Sequence, residues 1–130
     1  MSPMTVAVVV EGRPVPKGSL SRNRAGYAYF PRRVVEWQAK VAAAIDRAMS
    51  GVPRFECPVR VGCRFYLEPT RGGKAPGRLI GDADKLARTV LDALEGRCVG
   101  NDEQVVGLLV SKQAVEAGYV ARAEITVVAA

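Results

Sequence analysis

The sequence predicts a single α+β domain in which a mixed β-sheet packs against two main helices. That expectation rests on three observations. Apolar residues alternate strictly between Pro58 and Glu68, as in a half-buried strand. They recur instead at helical spacing after Pro31 and again after Gly81. Further strand-like runs stand singly or in pairs around these helices, unlike the regular alternation of a doubly wound sheet. The 130 residues contain neither an internal repeat nor a linker, so residues 1–130 are expected to form one domain.

The first element, Thr5 to Glu11, is rich in valine, ends at Gly12 and reads as a buried strand. Gly12-Arg13-Pro14-Val15-Pro16-Lys17-Gly18-Ser19 follows; its prolines and glycines forbid regular structure. Together with Ser21-Arg22-Asn23-Arg24 it makes a basic loop. Gly26 to Phe30 fits a short strand or hairpin arm. Pro31 is pre-organised for a first helical turn. Val34, Trp37, Val41, Ile45 and Ala48 then share one helix face, and Gly51 supplies the stop. Trp37 on that face reads as a core residue.

In the next strand Val59, Val61, Cys63, Phe65 and Leu67 face inward, while Arg60, Arg64, Tyr66 and Glu68 face outward. Pro69 to Gly81 is a second basic loop rich in glycine and proline. The second helix sets Leu86, Ala87, Val90, Leu91, Ala93 and Leu94 on one broad face and turns Asp84, Lys85, Arg88 and Asp92 away from it. Gly96 and Gly100 mark a turn, after which Val105 to Gln113 and Tyr119 to Val128 read as strands.

Composition narrows the chemistry. The chain has no histidine, which removes imidazole catalysis and most zinc sites. Its three cysteines, Cys57, Cys63 and Cys98, form no C-x-x-C pair and suit reduced thiols in a cytoplasmic protein. The longest apolar run, Val6 to Val10, is too short for a bilayer and lacks signal-peptide flanks, so no membrane association is expected. A formal charge of +6 favours a polyanionic partner. Its distribution points the same way. Between Glu11 and Glu36 there is no acid but there are Arg13, Lys17, Arg22, Arg24, Arg32 and Arg33. From Thr70 to Gly81 there is again no acid, but Arg71, Lys74 and Arg78. Both stretches can approach nucleic-acid phosphates without local repulsion.

Against this basic background, four of the five aspartates fall between positions 82 and 102. Asp82 and Asp84 open the second helix, and Asp102 follows in Gly100-Asn101-Asp102-Glu103-Gln104. One of the pair is expected to cap the helix, which leaves the other and Asp102 unexplained. Asp92, one turn after Arg88, is expected to pair with it. Gathered carboxylates repel one another unless a cation relieves them. An EF-hand is excluded, because Leu86 and Ala93 stand where oxygen ligands would be needed. Hard oxygen donors without histidine or thiolate point to Mg²⁺, with Mn²⁺ as a substitute. Beside lysine and arginine, such a site suits phosphodiester hydrolysis.

The run Asp82-x-Asp84-Lys85-Leu86-x-Arg88-x-x-x-Asp92-Ala93-Leu94, followed by Asn101-Asp102-x-Gln104-Val105, resembles the RusA-like Holliday junction resolvases, crossover-junction endodeoxyribonucleases common in phages and prophages. Pro14-Val15-Pro16-Lys17-Gly18-Ser19 and Lys112 fit the same family. The resemblance implies a Mg²⁺-dependent homodimer that nicks two opposing strands of a four-way DNA junction, in recombination and repair. It maps the three catalytic, metal-binding aspartates onto Asp82, Asp84 and Asp102, and the catalytic lysine onto Arg88. Arginine clamps phosphate well but is a poor proton donor, so Lys85 is a second candidate for the catalytic cation. Lys17, Arg22, Arg24, Arg71, Lys74 and Arg78 are then expected to hold the DNA backbone. The rival expectation is a non-catalytic DNA-binding protein on the same fold, with Asp82 serving only as a cap.

Overall fold

The alternation between Pro58 and Glu68 becomes β4 (Val59–Leu67), whose inward residues are all buried. This computed structural model describes residues 4–73 and 77–130. β4 is one of the two inner strands of a four-stranded sheet ordered β1-β6-β4-β5, with β1 at Thr5–Glu11, β5 at Val105–Ala114 and β6 at Arg122–Ala129. β6 runs antiparallel to both its neighbours, and β4 and β5 are parallel. The sheet is therefore mixed, and with two helices it gives the expected α+β architecture. The parallel pair needs a crossover, and α2 (Ala83–Leu94) provides it.

Helix α1 (Arg32–Ala48) starts immediately after Pro31 and buries Val34, Trp37, Val41 and Ile45. Helix α2 buries Leu86, Ala87, Val90, Ala93 and Leu94 together with Thr89. Both helices cover one sheet face, where Val8, Ile125, Val61 and Phe65 complete the core. The hairpin arm near Tyr29 is β3 (Ala28–Tyr29), paired with β2 (Ser21–Arg22).

Three local expectations change. β1 is half-buried, not buried, because it lies at a sheet edge with one face uncovered: Val6, Val8 and Val10 point inward while Ala7 and Val9 stay exposed. The last strand begins only at Arg122, leaving Tyr119 and Val120 exposed. There the Arg122 guanidinium stacks 3.8 Å from the Tyr66 ring and pairs with Glu124 at 2.9 Å. Finally, the first proline-rich loop, expected to approach phosphates, packs against the fold over residues 14–17. Pro14 and Lys17 are buried, the Lys17 amide donates to the Lys85 carbonyl at 3.0 Å, and the Thr89 hydroxyl donates to the Val15 carbonyl at 3.3 Å. The loop is stitched along α2.

Candidate functional site

Gly81 turns the chain into α2 with φ +110°, and a Cβ there would press on Leu86 at 3.3 Å. Only glycine takes that conformation without strain. Asp82 then occupies the N-cap position, and its carbonyl accepts the first helical bond from the Leu86 amide at 2.9 Å. Its carboxylate accepts no capping bond, contrary to the expectation that one aspartate of the pair would cap the helix; it faces the Lys85 ammonium at 3.3 Å. Asp84 is exposed in the first turn, where the partial positive charge of the helix end favours a carboxylate. Two hard donors, one residue apart, thus stand at the solvent-exposed start of α2.

Lys112, near the end of β5, supports this turn from the helix-covered face of the sheet. Its ammonium donates to the carbonyls of Leu79 at 3.0 Å and Gly81 at 2.8 Å. It fixes the backbone immediately before Asp82. Sequence reading had only the family resemblance for this residue, since a lysine in a strand gives no local signal of what it reaches.

Asp102 sits elsewhere. It opens a 3-10 turn, Asp102–Gln104, between the end of α2 and the start of β5. Asn101 caps that turn by accepting from the Glu103 amide at 2.8 Å. Gln104 locks it: Oε1 accepts from the Gly100 and Asn101 amides at 2.9 and 3.1 Å, and Nε2 donates to the Phe55 and Cys57 carbonyls at 2.7 and 3.1 Å. The glutamine of the Asn-Asp-x-Gln motif is thus a positioning residue. Cys98 and Val99 hydrogen-bond back to the Leu94 carbonyl, which ties this turn to the far end of α2. A helix of 12 residues spans roughly 18 Å. Val105 and Lys112 are likewise roughly 23 Å apart along β5, at the usual rise per residue. Accordingly, among the described residues no three acidic, cysteine or histidine groups gather closely enough to hold a metal. One copy of the chain brings Asp82 and Asp84 together and leaves Asp102 apart.

The cations divide in the same way. Lys17, expected to hold DNA, has a buried ammonium 2.7 Å from Asp92, 2.9 Å from Gln38 Oε1 and 4.6 Å from the Phe30 ring centroid. Its partners sit on both helices, so the lysine clamps the fold instead of facing solvent. Asp92, expected to pair with Arg88, pairs with Lys17 instead because the docked loop carries that ammonium to α2. Arg88 is exposed one turn after Asp84, and Lys85 is exposed beside Asp82. Arg22 and Arg24 are exposed on the β2–β3 hairpin, where Arg22 donates to the Gly26 carbonyl at 3.0 Å. Arg71 and Arg78 are exposed on the second basic loop, whose Thr70 and Arg78 backbones bond at 2.9 Å. Lys74 lies outside the described residues.

Two adjoining clefts of about 370 and 560 Å³ share Arg13, Lys40, Glu68 and Ile80. Arg33 lines one and Arg71 the other. Lys40 was not singled out in the sequence: on α1 it is one polar residue among several, and only packing brings it beside Arg13.

The sequence profile of a family described as endodeoxyribonuclease RusA matches residues 11–128. No curated protein matches the chain.

Proposed function

The chain belongs to the RusA endodeoxyribonuclease family, its match running from the end of β1 almost to the C-terminus, and from that premise we propose that it is a Mg²⁺-dependent, structure-selective endonuclease that resolves four-way DNA junctions by paired nicks. The observation that carries this reading is the Asp82–Asp84 pair, solvent-exposed at the start of α2, with the Lys112 ammonium bonded to the backbone just before it. The same geometry weighs against a purely structural Asp82, whose carboxylate makes no capping bond.

The donor set fits a hard divalent ion: exposed carboxylates on a helix N-terminus, with Cys63 and Cys98 buried in the core. Asp82 and Asp84 would hold it, with Asp102 as the third carboxylate of the motif. When bound, such an ion polarises a phosphoryl oxygen and acidifies a water. The protein's own residues supply positioning and charge. Arg88 presents a planar fork suited to a bidentate grip on phosphate, and Lys85 provides a point charge beside Asp82. Arg22, Arg24, Arg71 and Arg78 extend the basic surface for the DNA backbone, with Lys74 in the same loop. Symmetric nicking of a four-way junction calls for two sites related by a two-fold axis, hence a homodimer.

The test is incubation with a labelled four-way junction and a matched linear duplex, in Mg²⁺ and in EDTA. The expected result is paired nicks in the junction alone, in Mg²⁺ alone. Tight junction binding without cleavage in Mg²⁺ or Mn²⁺ would establish a non-catalytic binder instead.

A further inference from the structure

We infer that the double cleft bounded by Arg13, Lys40, Glu68 and Ile80 is a pocket for one unstacked nucleotide, the neighbour of the phosphate held at Asp82 and Asp84. The inference rests on the nuclease reading and names a part of the DNA strand, other than its backbone, that the protein holds.

The cleft lies between the first loop, α1, the end of β4 and the second basic loop. Gly12, at φ +134°, makes room for it: a Cβ there would lie 2.8 Å from the Lys40 ammonium and 3.3 Å from the Trp37 ring. The two adjoining parts, about 370 and 560 Å³, are each of a size that admits a small organic group. Ile80 lines both and is 43% exposed; Val120 lines the larger and is 52% exposed. Buried Pro14 and Leu67 add apolar wall to the smaller.

The charges identify the ligand. The described lining holds four cations, Arg13, Arg33, Lys40 and Arg71, and three acids, Glu11, Glu36 and Glu68. Among the described residues none of these cations enters an ion pair, and of the acids only Glu36 does, with Arg32. Phosphate alone is a poor match, because carboxylates repel it and exposed isoleucine and valine gain nothing from it. A nucleotide matches all three kinds of group. Its base covers Ile80 and Val120, and its amino or ring N–H groups donate to Glu68, an acid common to both parts of the cleft. Its phosphates meet the cations, and a guanidinium can lie flat on the base.

The cleft also stands where such a nucleotide would arrive. Ile80 precedes Asp82 by two residues, at most about 7 Å of chain. A strand with its phosphate at the aspartates therefore brings the next nucleotide to the cleft. In intact duplex that base is locked in the stack. Taking it out costs least where pairing is already interrupted, as at a branch point. The pocket thus gives the protein a physical means of telling a branch from a duplex.

The test places 2-aminopurine, whose emission rises when it leaves the stack, at each nucleotide around the branch point of a four-way junction in turn. Wild-type protein is bound in EDTA. One position should brighten about threefold or more, and an abasic site opposite it, which removes the cost of unpairing, should tighten binding by about tenfold. Ile80→Ser with Glu68→Gln changes two exposed side chains and should fold normally, yet lose both effects. A bound junction that brightens at no position would overturn the pocket. So would equal brightening in the variant, which would put the base elsewhere. Cleavage in Mg²⁺ is scored separately. Brightening on a junction that is never cut would keep the pocket and overturn the nuclease reading; paired nicks without brightening would keep the nuclease and overturn the pocket.

Discussion

Lys17 and Asp92, 75 residues apart in sequence, meet at 2.7 Å with the lysine side chain only 10% exposed. The contact joins the proline-rich loop to α2, and Gln38 brings α1 into the same cluster. A residue with the profile of a DNA contact is spent on holding three segments together.

Lys17→Met should therefore destabilise the protein by about 2 kcal/mol, since it leaves a partly buried carboxylate unpaired. Chemical denaturation reads the loss. The same change should leave the salt dependence of DNA binding nearly intact. Arg22→Ala with Arg24→Ala should do the opposite, keeping stability within about 0.5 kcal/mol and flattening the slope of log affinity against log salt by roughly 2 units if both reach phosphates.

Lys112→Met removes both bonds to the Leu79 and Gly81 carbonyls. The expected loss is roughly 1.5–3 kcal/mol, the range for bonds to a charged group. Amide hydrogen exchange should quicken at Lys85 and Leu86 before it does in β4. Lys112→Arg should restore part of that protection; equal exchange in all three proteins would remove Lys112 from the support of the aspartate turn.

Asp84→Asn separates binding from cleavage. It removes an exposed negative charge near the DNA and one hard donor, so junction affinity should hold or rise. Cleavage should fall by about 100-fold or more. Near-normal nicking by this variant would leave Asp84 as a helix-terminus charge and nothing more.

Burial pushes the Cys63 thiol up to about 12 and the Cys98 thiol up to about 11, from 9.0. Folded protein thus keeps both protons at pH values where the unfolded chain loses them. The stabilisation is complete below about pH 9 and is lost as pH rises toward 11 and 12. Thermal unfolding between pH 8 and pH 11 should show this decline, lessened in Cys63→Val. At pH 8 a thiol reagent should modify the partly exposed Cys57 and spare the two buried cysteines until unfolding.

What the sequence determined by itself was everything set by local periodicity. Strict alternation assigned the faces of β4, because a strand buried on one side admits no other pattern. Helical spacing placed α1 and α2, and Asp82 and Asp84 were legible because a one-residue separation survives any fold. Tertiary structure decided which distant groups meet. No local signal reveals that the docked loop delivers Lys17 to Asp92, that Lys112 reaches back 31 residues to Gly81, or that Gln104 grips the Phe55 and Cys57 carbonyls. The position of Asp102 is the clearest case. In sequence it stands 18 residues beyond Asp84, close enough to suggest one cluster. A rigid helix fills most of that interval and carries the chain roughly 18 Å away, because α2 must run back along the sheet for β4 and β5 to lie parallel.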